Sequence, residues 1–504
     1  MIPRRSFLRT AVSTGALAAL GDFGFLAQLP SVSAAEAVAD THLVRFHPEI
    51  EPLVRLLEDT PRERLLEEVA TRIQRGLPYR QLLAALFLAG VRDVQPRPVG
   101  FKFHAVLVIN SAHLASLASP ESDRWLPLFW AIDNFKVSQA AQQKEGNWRL
   151  AAVDESAVVP GHRAPAAFAE AMDHWDEAAA DAAIVGLVRS NTSADELFEI
   201  LCRYGVRDFR EIGHKSIYVS NSLRCLEVIG WQHAEPVLRS LAYALLDHVD
   251  TKQNPSQADL PADRPFRENL TLVKGIREGW TEGKPSSEAS ADLLQTLRAG
   301  SAAEASGQVV KMLNDGVAPQ SIFDGLFSGA GELLMQAPST ISLHATTFTN
   351  AVHYAWHRAQ DEELRRLLLL QNAAFLPLFR GEHKDTGLHI DALEPLAPKA
   401  SGDEAVAEIF ANLHHDRLGG ARKILAWLQD NPDAAPFAAA ARRLIFLKGN
   451  NAHDFKFSSA VLEDYEQLSP PWRDRLLAAS AFNLRGADDK DNDLVKRTRS
   501  ALGA

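Results

Sequence analysis

Four histidines stand in four similar phrases of this chain. They are His104 in FKFHAVLVINSAHLASL, His214 in EIGHKSIYVSNSLRCLEV, His344 in ISLHATTFTNAVHYAWH and His453 in NAHDFKFSSAVLEDY. Each precedes an apolar or aromatic run. In three of the phrases an asparagine follows six or seven residues later: Asn110, Asn221 and Asn350. Imidazole is a ligand for iron, copper, zinc and nickel, an axial ligand for haem, and a general base near neutral pH. If four equivalent positions converge on one axis, these side chains line one pocket. The four histidines are then candidate metal ligands or catalytic bases, and the three asparagines are candidates to orient the rings or bind polar groups of a substrate. Two further histidines are candidate cofactor-binding residues. His113 follows Asn110 by three places, and His353 follows Asn350 by three, with His357 four further on along the same helix face.

The elements around the phrases repeat as well. YRQLLAALFLAGVRDV precedes the first and ELFEILCRYGVRDF the second; both read as amphipathic helices that stop at Gly90 and Gly205. A Leu-rich helical stretch follows each histidine phrase. Ala and Leu are abundant and β-branched runs are short, so the expectation is an all-α chain. Four divergent multi-helix repeats, of three or four helices each, span about 48–136, 167–250, 288–380 and 404–487. Polar, Pro- and Gly-rich linkers lie at 137–166, 251–287 and 381–403, the second long enough to fold over the surface as a lid or an arm. The histidines are 110, 130 and 109 residues apart, longer than common solenoid periods. The repeats are therefore expected to pack as a single domain over 35–504, either a helical array or a pseudo-symmetric toroid.

Residues 1–34 read as a targeting segment. Arg4-Arg5-Ser6-Phe7-Leu8-Arg9 matches the twin-arginine pattern, a moderately apolar stretch follows, and Val32-Ser33-Ala34 offers small residues for cleavage. This resembles a bacterial Tat signal peptide and predicts export to the periplasm or beyond, with no membrane span after cleavage. The Tat route carries folded proteins, often with a cofactor already in place, so the resemblance favours a bound cofactor.

The 504-residue chain has a net charge of −11, and loss of Arg4, Arg5, Arg9 and Asp22 with the signal makes it two charges more negative. Such a surface excludes nucleic acid and anionic lipid as natural partners and leaves a small-molecule substrate. The two cysteines, Cys202 and Cys225, lie in no CxxC context, which excludes zinc ribbons, iron–sulfur clusters and covalent c-type haem. A disulfide between them and two buried free thiols are both open. GxSxG, HExxH, P-loop and strand-borne GxGxxG motifs are absent. Glu211 and His214 form one E-x-x-H pair, but no second copy appears in the aligned phrases, so a ferritin-like di-iron site is not expected.

The phrases HAVLVIN and GHKSIYVSN are similar to the histidine-led motifs of the questin oxidase-like family. The resemblance covers the histidine helices and implies an all-helical oxidoreductase. Members of that family include oxygenases that open aromatic polyketide rings by Baeyer–Villiger chemistry, so the resemblance implies an apolar or aromatic substrate. Only the four histidines and their asparagines carry over. The cofactor is left open between iron, copper, non-covalent haem and none. Two alternatives remain: a HEAT-like scaffold with structural histidines, and a polysaccharide lyase or hydrolase on an α/α toroid. The direction of the histidines separates the enzyme from the scaffold.

Overall fold

The computed structural model describes residues 44, 46–190, 192–248 and 253–503. The proposed signal peptide lies outside the described residues. The fold is all-α: among the described residues there are 23 α-helices and no strands, with one isolated bridge between Lys284 and Val317. Val44–Ala504 cluster as one unit.

Helix order follows the four phrases. The first group is α1 (Glu51–Asp59), α2 (Arg62–Gln74), α3 (Tyr79–Asp93), the broken pair α4 (His104–Leu107) and α5 (Ile109–Ala118), and α6 (Leu126–Glu145). The second is α7 (Ala164–His174), α8 (Glu177–Arg189), α9 (Ala194–Gly205), α10 (His214–Ile229) and α11 (Ala234–Leu245). After α12 (Arg264–Leu272), the third is α13 (Ser287–Ala299), α14 (Ala302–Asn314), α15 (Pro319–Gln336), α16 (Thr340–Arg358) and α17 (Glu362–Arg380). The fourth is α18 (Gly402–Asn412), α19 (Arg417–Asp430), α20 (Ala435–Lys448), α21 (Ala452–Asp464) and α22 (Pro470–Ala479), and α23 (Leu494–Leu502) closes the chain. Each group holds three helices, then a histidine helix, then one more. That is five rather than the expected three or four. The Ala-rich stretch 164–189 breaks where Trp175 turns left-handed (φ 59°) and Asp176 caps the next helix through the Ala179 N–H.

The linkers also differ from expectation. Helix α6 runs nine residues into the first one, to Glu145. The second contains α12, which packs on α14 and α17. Its Asn269 amide is buried and donates to Gln371 Oε1 at 2.7 Å, so this segment is an arm fixed to the third group, not a free lid.

The four histidine helices pack in a cycle. The pair α4/α5 meets α10, α10 meets α16, α16 meets α21, and α21 returns to α5. The last helix returns to the first group: α23 lies on α2 and α6, and Arg497 pairs with Glu67 at 2.8 Å and Arg499 with Asp123 at 3.0 Å. Among the described residues no single helix is long and apolar enough to cross a membrane.

The GVRD segments explain how the histidine helices are seated. Gly90 lies inside α3, not at its stop, and a Cβ there would meet Val106 at 2.7 Å. Gly205 ends α9 and faces Val219 and Ser216 of α10. Each glycine lets the following histidine helix approach. The Arg and Asp of each segment are buried in ion pairs: Arg92 with Glu58 and Glu51, Asp93 with Arg149, and Asp208 with Lys215.

Candidate functional site

The cyclic packing brings His104, His214, His344 and His453 together. Neighbouring ring centroids around the cycle are 4.8, 4.3, 5.0 and 4.6 Å apart, and the His104–His344 diagonal is 6.2 Å. All four rings line a cavity of about 630 Å³, within the size range of small-molecule sites.

Local backbone geometry sets the tautomers. His104 Nδ1 lies 2.8 Å from the Phe101 carbonyl, His214 Nδ1 2.6 Å from the Glu211 carbonyl, and His344 Nδ1 2.6 Å from the Thr340 carbonyl. A carbonyl only accepts, so each Nδ1 carries the proton and each Nε2 offers a lone pair. The carbonyls are placed in two ways. Thr340 sits in the first turn of α16, which Ser339 caps. Phe101 and Glu211 are non-glycine residues in left-handed backbone, at φ 45° and 55°. Gly213 follows at φ 79°, where a Cβ would meet the Phe348 ring at 2.7 Å; only glycine lets α10 start this close to α16.

The lone pairs converge. His214 Nε2 and His104 Nε2 are 3.0 Å apart, two acceptors at hydrogen-bond distance. Such a contact is favourable only with a cation, a proton or a metal ion, between them. One ring nitrogen from each of His104, His344 and His453 lies within 4.8 Å of the other two, a spacing that suits one shared ion. His453 Nε2 is buried without a hydrogen-bond partner.

Lys456 lies under the rings, one turn after His453 on α21. Its Nζ is 3.4 Å from both His214 Nε2 and His344 Nε2. It is 3% exposed, and among the described residues no carboxylate is within ion-pair reach. Burial lowers its pKa to about 7. Burial first and the Lys456 charge second hold His104, His214 and His344 well below the ordinary imidazole value, and the same causes bring His453 to about 4. The imidazoles are therefore neutral near pH 7, the form that binds a metal or accepts a proton.

Lys456 is absent from the reading of the sequence, although HDFKF holds a signal for it: a charge between two phenylalanines, three places after the histidine and so on its face. The asparagines are a correction. None of Asn110, Asn221 or Asn350 lines the cavity. Six or seven residues is almost two helical turns, roughly 10 Å along the axis, so they form a second tier that ties helices together. Asn221 Nδ2 donates to the Leu107 carbonyl, freed at the α4/α5 break, at 3.0 Å. Asn350 Nδ2 donates to Glu463 and Asp464 at 2.9 and 2.8 Å, and its oxygen accepts from Arg224 at 3.2 Å. Asn110 is buried in α5.

His113 and His353 also lie away from the cavity. His113 Nδ1 meets the Tyr79 hydroxyl at 3.1 Å, and His353 packs between Phe323, Phe327 and His357. Neither is among the residues that line the four-histidine cavity. Cys202 and Cys225 are buried free thiols. A second group with ligand atoms, Glu332, His389 and Asp391, has its carboxylates engaged: Arg298 reaches both Glu332 oxygens at 2.6 Å and Asp391 at 2.5 Å.

No family model matches the chain, and neither a curated protein nor a solved structure matches it.

Proposed function

We propose that this chain is an exported oxidoreductase, an oxygenase of questin oxidase-like character, acting on a small apolar or aromatic substrate in the four-histidine cavity. The observation that supports it is the convergence of imidazole lone pairs, with His104 Nε2 and His214 Nε2 at 3.0 Å. One such pair also occurs away from the cavity, His353 Nε2 and His357 Nε2 at 3.0 Å, so the support is the gathering of four rings around one cavity and not the distance alone. The four groups are read as pseudo-symmetric repeats around that axis, which makes the cavity the one place where all four contribute equivalent side chains.

The residues fit a single transition-metal ion. His104, His344 and His453 would hold it, with His214 and the neutral form of Lys456 at its side. The close spacing of the rings leaves no room for a porphyrin among them. A bound iron or copper supplies a site at which O2 and an ionisable substrate meet. The chain's own part is to hold the rings in one tautomer through the Phe101, Glu211 and Thr340 carbonyls and to keep bulk water from the floor of the cavity.

A metal-free reading has one observation in its favour. Neutral imidazoles with Nε2 free are bases for a phenol or enol, and the Lys456 ammonium lies behind two of them at 3.4 Å, where it favours their neutral form. In this reading His104, His214 and His344, whose Nδ1–H groups are committed to backbone carbonyls, serve as bases, and His453 is left to stabilise the anion.

Oxygen consumption with a panel of phenols, before and after chelation and after re-addition of iron or copper, tests the proposal. Uptake lost on chelation and restored by one metal supports the metal reading. Uptake insensitive to chelation supports the metal-free one. No uptake with any phenol under either condition contradicts the oxidoreductase.

A further inference from the structure

The floor of the cavity is built from the same residue type four times, but its rim is not. The residue three places before each histidine lines the cavity in every group: Phe101, Glu211, Ile341 and Asn450. Following the cyclic order of the helices, Phe101 and Ile341 come from opposite groups, and so do Glu211 and Asn450. The rim therefore has two apolar lips across one diagonal and two polar lips across the other.

The backbone at two of these positions shows that the side chains matter in themselves. Phe101 and Glu211 each present a carbonyl to a histidine from left-handed backbone, at φ 45° and 55°. That task needs no side chain, and glycine or asparagine would perform it with least strain. A phenylalanine and a glutamate stand there instead. Phe101 is 74% exposed, the most exposed large apolar residue among those described, and Ile341 is 49% exposed. Neither contributes much to the core, so packing does not account for them. Lys102, beside Phe101, is tied to Glu145 of α6, which fixes the lip. Glu211 lines the cavity from the second group. Asn450 keeps its amide N–H2 available at the rim while its oxygen accepts from Asn451 and Arg485 at 3.2 and 3.3 Å.

We infer that these four residues determine specificity, and that the cavity selects a flat apolar molecule with a hydrogen-bonding group at each end. The apolar body lies between Phe101 and Ile341. A hydroxyl at one end donates to Glu211, and an oxygen at the other accepts from Asn450. This rests on the reading of the histidine cavity as the active site, and it adds which substrates that site takes.

Binding of 2,6-dihydroxynaphthalene, 2-naphthol and naphthalene-2,6-dicarboxylate to the purified full chain, measured by calorimetry, tests it. The diol binds about tenfold tighter than 2-naphthol, and the dicarboxylate, repelled by Glu211, does not bind. Phe101→Ala and Ile341→Ser weaken both naphthols by about tenfold. Glu211→Gln and Asn450→Ala bring the diol to the affinity of 2-naphthol. Should Glu211→Gln not fold, Glu211→Asn suits the left-handed backbone and removes the same reach. Equal affinities for the three compounds, or a ranking unchanged in the variants, overturns the inference. The two readings fail separately. The predicted ranking without oxygen uptake leaves the rim standing and removes the oxygenase. Oxygen uptake on phenols with kcat/KM unchanged in Phe101→Ala and Glu211→Gln leaves the oxygenase standing and removes the rim.

Discussion

Two lysines on the histidine helices show how differently one side chain can be used. Lys215 follows His214 on α10, and Lys456 follows His453 by one turn on α21. Both are buried, at 0% and 3% exposure. Lys215 has a full set of partners: Asp208 at 2.8 Å, the Asp247 carbonyl at 2.8 Å, and a neighbourhood in which Arg210 is matched by Asp263 at 2.6 Å. It belongs to a charge network that holds the second group together, and its pKa falls to about 8, by burial partly offset by Asp208. Lys456 has only two imidazole nitrogens at 3.4 Å. A buried cation without a carboxylate is a poor way to stabilise a fold. Lys456 stands beneath four converging imidazoles with no carboxylate in ion-pair reach among the described residues, whereas Lys215 is built into an ion-pair network.

The largest effect that separates the two is on stability. Asp208→Asn leaves Lys215 buried and without its counter-charge, and should lower the unfolding free energy by about 3–5 kcal/mol in denaturant titrations. Lys456→Met removes a charge that has no counter-charge, and should leave stability unchanged or raise it by about 1 kcal/mol while metal content or oxygen uptake falls. A large loss of stability in Lys456→Met would erase the contrast.

The next effect is on the asparagine tier. Asn350→Ala strips Glu463 and Asp464 of a shared donor, and should cost about 1–3 kcal/mol with the cavity's metal content intact. Loss of metal without loss of stability in that variant would return Asn350 to the site.

The pH dependence is a third, smaller discriminator. A histidine held neutral by burial binds fewer protons folded than unfolded below its unfolded pKa, so stability falls as pH drops through that window. For His453 the window runs from about 6.5 down to about 4. Between pH 6 and 5 the metal-free wild type should lose stability more steeply than His453→Ala, by on the order of 1 kcal/mol per pH unit. Equal slopes would mean that His453 is solvated. The smallest effect belongs to the outer seam, where Arg497→Ala should cost less than about 1 kcal/mol, because its pair with Glu67 is partly exposed.

The histidine floor was legible because one phrase recurs with the same register, and register on a helix is direction. The all-α class followed from composition for the same local reason. The partners of the second tier were not legible. Asn110, Asn221 and Asn350 recur in three of the four phrases, yet two turns along the axis Asn221 meets a carbonyl and Asn350 a carboxylate pair. Repetition identifies equivalent positions but not what stands opposite them. Lys456 was hidden because it occurs in one phrase only, and Phe101 and Glu211 because nothing in their identity announces left-handed backbone. The break at Trp175–Asp176 was hidden because it is set by a single left-handed residue inside an Ala-rich run.

The metal reading of the proposal is that the converging histidines hold an iron or copper ion. Elemental analysis beside a visible spectrum tests it most directly, on protein purified after native export without chelators and on His344→Ala shown by circular dichroism to be folded. The account predicts about one equivalent of iron or copper per chain in the wild type and its loss in the folded variant. A wild type that is colourless and free of metal, or a variant that keeps the same metal, would contradict it.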